Sequence, residues 1–350
     1  MKCFYSMENQ LPTNFKWKQY LFHNYDLVSA GVHTQKEAEQ HYLEYGKDEN
    51  RDYRSTPLCS PAIDELINID IEPTKFKNSL EAVVLLMTGN ELSNGLYMRF
   101  CEELEKHTYS VDLDFVVVTK QNMQNSIDIK FFKQFFNSVT IICLDIPKEY
   151  DIYYDKNSDK EYATIPDYGY YSGPNYTFYK SFDWLQKYNT CLFLECDCYF
   201  GKDWLNRLRG FVKYNGSFWM CGSIYDGTEH KPKDSGSKRL TVGNTHINGG
   251  TALYATGNQQ FIKFLKLTEN YLKSYVQEVN AKIAYDYFIK ESLDCLFTLF
   301  IDSKSIATAK FINRQYLVSN LILNYSDEDS QKINKDEIDS FYDYAILHKK

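Results

Sequence analysis

From residue 80 onward, apolar runs alternate along the chain with amphipathic stretches. Runs at 81–89, 112–120 and 139–147 predict three buried strands, because strands covered on both faces lack polar alternation. The periodic stretches 97–106 and 129–138 predict helices between them. This order is typical of an α/β domain in which helices flank a mostly parallel sheet.

The same alternation continues to the end of the chain. A helix is expected at 172–189, where Pro174 suits the first turn because its missing N–H would be unpaired there anyway. Apolar runs predict further strands, and two long periodic stretches predict helices. The strands are expected at 191–200, 218–224 and 344–348, and the helices at 258–276 and 281–297.

A separate helical pattern precedes the α/β region. Thr34 followed by Glu37 forms a capping-box pattern that opens a helix, and Gly46 is a candidate for its C-cap. A turn-rich stretch with three prolines follows. We therefore expect a small all-helical module at 1–53, a linker at 54–79 and the α/β domain at 80–350.

Composition and charge indicate which kinds of partner the protein is expected to bind and in which compartment it is expected to be found. The net charge of −8 provides no basic field for nucleic acid, so no nucleic-acid partner is expected. No apolar run reaches the roughly 18 residues of a membrane span, and the first residues lack a signal-peptide core. The nine cysteines are odd in number and without framework spacing, which favours free thiols and a cytoplasmic location.

The acidic pair Glu195 and Asp197 is the main candidate for chemistry. Both residues lie near the end of the predicted strand 191–200, and side chains two apart on a strand point the same way. Carboxyl ends of parallel strands are where such sheets bind ligands. Because two adjacent carboxylates repel each other, a Mg²⁺ or Mn²⁺ ion would stabilise them and could hold a diphosphate.

Two alternatives apply to the same segment. Asp197 could instead cap the following helix while Glu195 is solvated. Cys191, Cys196 and Cys198 could bind zinc, but they lack a second Cys or His pair at the spacing of a zinc site.

Downstream polar residues extend the candidate site. Asn248, Gly249 and Gly250 precede an apolar run, so backbone N–H groups there could approach a ligand closely, or the residues could form an ordinary turn. Asp286 lies between two tyrosines on a predicted helix and is a candidate general base or a structural acid. His348 ends the last predicted strand and could supply a third metal ligand, or be a solvated tail residue.

Part of the ligand is expected beside the first strand. Backbone groups at Thr88 and Gly89, where that strand ends, are predicted to contact it. Lys180, on the helix before the acidic pair, is predicted to add a polar contact.

The stretches at 85–89, 172–175, 192–198, 219–224, 248–254 and 345–350 together resemble the GT-A superfamily of glycosyltransferases. In such enzymes acidic residues bind Mn²⁺ and the diphosphate of a nucleotide sugar, and a late histidine often completes the metal sphere. The resemblance implies that Glu195, Asp197 and His348 bind the metal, and that 248–250 border a sugar. It also implies that the backbone groups at Thr88 and Gly89 hold the nucleotide of the donor. Residues 17–51 resemble a short helical module that accompanies many glycosyltransferases.

The resemblance implies metal-dependent transfer of a sugar from a nucleotide-diphosphate sugar to a glycan or protein-linked glycan. The alternative from another class is a degenerate transferase that binds a nucleotide sugar or carbohydrate without turnover. A nucleotidyltransferase also uses paired acids and a metal, but residues 85–95 contain no glycine-rich loop with a phosphate-binding lysine.

Overall fold

The structure is a computed structural model, and strands and helices are numbered in chain order. It describes residues 10–13, 15–17, 20–21, 24, 26–27, 30–51, 53, 65–66, 68–73, 76–151, 167–224, 246–279, 284–302, 306–325 and 344–349.

Four parallel strands form the first half of the main sheet. They are ordered β3-β2-β1-β4, and every neighbouring pair is parallel. Their carboxyl ends therefore meet at one edge of the sheet, which is where parallel sheets bind ligands. The strands are β1 (Leu80–Leu86), β2 (Val111–Lys120), β3 (Phe136–Leu144) and β4 (Thr190–Leu194).

The second half of the sheet changes direction at β7 (Ile247–Tyr254), which is antiparallel to both β4 and β6 (Met220–Ile224). The edge strand β8 (Tyr316–Val318) is parallel to β6. The complete order is β3-β2-β1-β4-β7-β6-β8. The predicted mostly parallel sheet flanked by helices is therefore confirmed.

Three short strands form a second sheet beside the end of β4. The last strand, β10 (Ile346–Lys349), lies between β5 (Cys198–Phe200) and β9 (Ile322–Tyr325). It is antiparallel to β5 and parallel to β9. The prediction of one continuous strand at 191–200 is wrong, because β4 ends at Leu194 and β5 pairs with the C-terminal strand instead.

Helices cover both faces of the main sheet. Successive residues of β1 face opposite sides of the sheet. Val84 belongs to the hydrophobic cluster that contains Phe178 and Phe264, whereas Val83 belongs to the cluster that contains Phe100 and Leu205. The helices are α2 (Gly89–Ser93), α3 (Leu96–His107), α4 (Ile129–Phe132), α5 (Ser172–Leu185), α6 (Trp204–Asn215), α7 (Gln259–Val279), α8 (Tyr285–Asp302) and α9 (Ile306–Gln315), following α1 (Gln35–His41) in the N-terminal region. None of the described helices has both the length and the apolar character needed to cross a membrane.

Two predicted helix boundaries are wrong. The helix expected at 129–138 is the single turn α4, because Phe136 begins β3 and pairs with Val111 of β2. Gly46 is not a C-cap: it lies inside a π-helical turn, Tyr42–Gly46, against the ring of Tyr20. The capping box of Thr34 and Glu37 at the start of α1 is confirmed.

The N-terminal region has its own hydrophobic cluster, built around Tyr20, Leu21, Leu27, Ala38 and Tyr42. This cluster is distinct from the two cores of the α/β region. It supports our proposal that residues 1–53 are an appended module. Residues 54–64 of the proposed linker lie outside the described part of the chain.

Candidate functional site

The two acidic side chains lie on a tight turn rather than on a strand. Glu195, Cys196 and Asp197 connect β4 to β5, and the turn is closed by Cys198 N–H donating to the Glu195 carbonyl at 3.3 Å. Both carboxylates are partly exposed, at 43% for Glu195 and 25% for Asp197. The alternative that Asp197 caps a helix is wrong, because β5 follows it and α6 begins only at Trp204.

His348 completes a cluster with the two acids. Its place in β10 pairs it with Cys198 on one side and Asn324 on the other, and its side chain is only 1% exposed. Nε2 of the ring lies 3.0 Å from Oε2 of Glu195 and 3.0 Å from Oδ1 of Asp197. The alternative of a solvated tail histidine is therefore wrong.

The cluster strongly attracts positive charge. Burial lowers the pKa of His348, but the carboxylates of Asp197 and Glu195 outweigh this effect and raise that pKa to about 10. Nε2 and the buried Oδ1 of Asp197 lie close together, yet neither has a hydrogen bond of acceptable geometry. A buried polar atom without a hydrogen bond is costly, so these atoms are suited to another partner.

A divalent cation fits this arrangement. One ligand atom from each of the three residues lies within 4.8 Å of the others. In an octahedral site with metal–ligand bonds of about 2.1 Å, adjacent ligand atoms lie about 3.0 Å apart. The distances from Nε2 of His348 to the oxygens of Glu195 and Asp197 are both 3.0 Å, so they agree with this spacing. Carboxylate oxygens with one imidazole are suitable donors for Mg²⁺ or Mn²⁺.

The cysteines are not part of this donor set. Among the described residues, the group that could hold a metal contains no cysteine. Burial raises the pKa of the Cys191 thiol to about 12, and it raises the pKa values of Cys196 and Cys198 further. The zinc alternative is disfavoured because the described set of candidate metal ligands is Glu195, Asp197 and His348, with none of these cysteines among them.

Strand β7 contacts each part of the site with three successive residues. Asn248 places its Nδ2 2.9 Å from Nδ1 of His348, and Gly249 donates its N–H to Asp286 at 2.9 Å. A Cβ on Gly250 would lie 2.6 Å from Oε1 of Glu195 and closer to the rest of that carboxylate. The alternative of an ordinary turn is wrong, because all three residues lie inside a fully buried strand.

Asp286 lies in the first turn of α8, behind Gly249. One carboxylate oxygen accepts the Gly249 N–H, and the other accepts the Tyr287 N–H at 2.8 Å. Asp286 therefore bonds to β7 at the residue between Asn248 and Gly250, which are the two that contact the metal cluster.

The predicted donor residues are divided between two regions. Thr88 and Gly89 are exposed where β1 ends, beside β4 and its acidic turn. Thr88 caps α2 and hydrogen-bonds Glu91, so its side chain is already engaged. Lys180 lies on α5, where its Nζ is 3.9 Å from Glu269 of α7.

Two residues absent from the sequence-based predictions also border the cluster. Arg99 on α3 donates to the Cys196 carbonyl at 3.4 Å and lies over the ring of Tyr199. Asn324 on β9 contacts Nδ1 of His348 at 3.1 Å. Nothing in the sequence distinguishes Arg99 from other helical arginines, whereas Asn324 interrupts an apolar run and could have been noticed.

No protein-family model and no curated protein matches the chain. Solved structures with a similar arrangement include two named as glycosyltransferases and one of a protein bound to UDP. Mouse xyloside xylosyltransferase 1 is 10% identical, with 77% of this chain and 97% of that chain covered and a TM-score of 0.41. The galactosyltransferase LgtC, in complex with donor and acceptor sugar analogues, is 12% identical, with 77% of this chain and 86% of that chain covered and a TM-score of 0.42. S. aureus TarS 1–349 in complex with UDP is 14% identical, with 74% of this chain and 76% of that chain covered and a TM-score of 0.35.

Proposed function

We propose that the protein is a metal-dependent glycosyltransferase that moves a sugar from a nucleotide-diphosphate sugar to a glycan or protein-linked glycan. The observation that carries this proposal is the meeting of Glu195, Asp197 and His348 where the parallel strand β4 ends. The similar solved structures have TM-scores below 0.5 and add no weight to it.

The three residues would hold Mn²⁺ or Mg²⁺. When bound, such an ion neutralises the donor diphosphate and stabilises the charge that develops as the nucleoside diphosphate leaves. The protein contributes two carboxylates and one imidazole, which it holds at a fixed separation. Gly250 leaves the Glu195 carboxylate room to lie directly against β7.

The donor would bind along the same sheet edge. We propose that backbone groups of Thr88 and Gly89 hold the nucleotide. The hydroxyl and the N–H of Thr88 both bond to Glu91 in the capping box of α2, so Gly89 would supply the N–H contact. Asn248, Gly249 and Gly250 would border the sugar. Lys180 would reach the donor only by leaving Glu269.

We propose Asp286 as the general base for the acceptor hydroxyl. Its two oxygens each accept one backbone N–H, and each keeps a second lone pair for a proton. We expect Asp286→Asn to lower kcat about 100-fold with little change in the KM for the donor, because an amide cannot take up the proton.

Steady-state kinetics with a transferable acceptor would check this role, with Asp183→Asn on the exposed face of α5 as the control. Asn can still accept the Gly249 N–H through its own Oδ1. Full activity of Asp286→Asn would therefore mean that Asp286 only positions β7.

A panel of nucleotide sugars tests the function as a whole. We expect at least one donor to release its nucleoside diphosphate in the presence of Mn²⁺ or Mg²⁺, and EDTA to stop the release. Binding detected by thermal shift without release would support a non-catalytic nucleotide-sugar-binding protein. Release of sugar 1-phosphate instead of nucleoside diphosphate would indicate nucleotidyl transfer, and full activity in EDTA would contradict the metal site.

A further inference from the structure

The side-chain amide of Asn324 has an orientation set by the backbone around it. Asn324 is 5% exposed, and its Nδ2 donates to the Ser223 carbonyl at 3.0 Å and the Ile224 carbonyl at 3.3 Å. A carbonyl can only accept, so the NH₂ group must face this side. The amide oxygen therefore faces the opposite way, where it lies 3.1 Å from Nδ1 of His348.

The amide of Asn248 is also oriented by the backbone. Its oxygen accepts the Gly250 N–H at 3.1 Å, which turns its NH₂ group toward Nδ1 of His348 at 2.9 Å. Nδ1 thus faces one acceptor, on Asn324, and one donor, on Asn248. The two carboxylates favour an imidazolium, which carries N–H on both nitrogens. An imidazole that binds a cation is neutral and carries one N–H, so only one of these two contacts at Nδ1 is satisfied in each of its tautomers.

The two tautomers present different atoms to the acidic pair. If Nδ1 accepts from Asn248, the hydrogen is on Nε2 and points at the carboxylates of Glu195 and Asp197. If Nδ1 donates to Asn324, Nε2 presents a lone pair to the same place. Only the second tautomer can bind a cation through Nε2.

We propose that Asn324 is a positioning residue that selects the cation-binding tautomer of His348. It accepts Nδ1–H, holds the ring between β5 and β9, and so aims the lone pair of Nε2 at the space between Glu195 and Asp197. The inference rests on the proposed function, because it assigns Asn324 a role toward the same cation. Partners of this kind commonly change metal affinity by about 10- to 100-fold when removed.

Mn²⁺ affinity of the full chain, measured by calorimetry without donor or acceptor, tests the proposal. We expect Asn324→Leu to weaken Mn²⁺ binding about 10- to 100-fold. We expect Asn324→Asp to bind Mn²⁺ more tightly than Asn324→Leu, because it keeps an acceptor for Nδ1–H although it loses both bonds to carbonyls. His348→Ala gives the affinity that remains without the imidazole.

Asn78→Leu is the matched control. Asn78 is also buried and also donates to a backbone carbonyl, that of Phe218 at 3.1 Å, and no contact joins it to the acidic cluster among the described residues. It should lose stability while keeping its Mn²⁺ affinity. Equal Mn²⁺ affinities of folded Asn324→Leu and the wild type would overturn the inference.

The tautomer can be read directly by ¹⁵N NMR of the Mg²⁺-loaded chain, with the His348 signals assigned from His348→Ala. The wild type should show a hydrogen on Nδ1 of His348 and none on Nε2, which reports binding of the cation through Nε2. If Asn324→Leu does not fold, Asn324→Asp tests the role of residue 324, and an Mn²⁺ affinity as low as that of His348→Ala would overturn the inference. A hydrogen on Nε2 in the Mg²⁺-loaded wild type would overturn the inference. Mn²⁺ binding that depends on Asn324 in a protein that hydrolyses no nucleotide sugar would uphold the inference and contradict the proposed function alone.

Discussion

Asp197→Ala is expected to lower metal-dependent release of nucleoside diphosphate by at least about 100-fold. Asp197 supplies the buried oxygen 3.0 Å from Nε2 of His348, and removing it leaves one carboxylate and one imidazole for the cation. A cation polarising the donor contributes several kcal/mol to the barrier, so losing a ligand should affect the rate strongly.

Donor hydrolysis measured across a range of Mn²⁺ concentrations would check this expectation. Added Mn²⁺ should recover part of the rate if Glu195 and His348 still bind the ion weakly. Asp112→Ala is the control, since Asp112 is an exposed acid near the amino end of β2, the opposite edge of the sheet. If Asp197→Ala folds and keeps the wild-type rate at low Mn²⁺, the acidic turn does not hold the catalytic ion.

Gly250→Ala is expected to lower both Mn²⁺ affinity and turnover through a single methyl group. The added Cβ would overlap the Glu195 carboxylate, and a contact of 2.6 Å with Oε1 is too short to persist. Because Glu195 is partly exposed, its side chain can swing toward solvent while the buried strand stays in place. Mn²⁺ affinity and turnover should therefore fall at least about tenfold, since a ligand has been displaced.

A double-mutant cycle separates this mechanism from general overpacking. Overpacking a buried strand costs about 1–3 kcal/mol of unfolding free energy whatever the neighbouring side chain. If the clash is with Glu195, Gly250→Ala should cost little stability in a Glu195→Ala background. Gly210→Ala, at an open position of α6, should leave both Mn²⁺ affinity and turnover unchanged. An Mn²⁺ affinity unaffected by Gly250→Ala would contradict the proposed contact.

Local patterns were sufficient for much of the α/β framework. The apolar runs of β1 and β2 predict buried strands because each strand is covered on both faces, and Pro174 correctly indicates the first turn of α5. The boundaries failed where a distant partner decides them. Phe136 belongs to β3 because β2 offers it hydrogen bonds, although the local pattern around it is helical.

At the candidate site, too, the sequence predicted some features and only the structure revealed others. The sequence alone indicated Glu195, Asp197 and His348 as residues whose chemistry suits a divalent cation, since carboxylate and imidazole donors near strand ends are informative without coordinates. It also predicted that Asn248, Gly249 and Gly250 border the ligand, and the structure places Asn248 and Gly250 against His348 and Glu195. It could not reveal that these glycines form the interior of a strand, or that Asn324 faces His348.

Only the tertiary structure decided how these groups meet. Asn248 and His348 are 100 residues apart in sequence, and their contact exists because β7 and β10 are brought to the end of β4 by separate sheets. Periodicity records which face of an element is apolar, but it carries no information about which elements become neighbours. Strand pairing supplies that information, because backbone hydrogen bonds and core packing must be satisfied together across the whole chain.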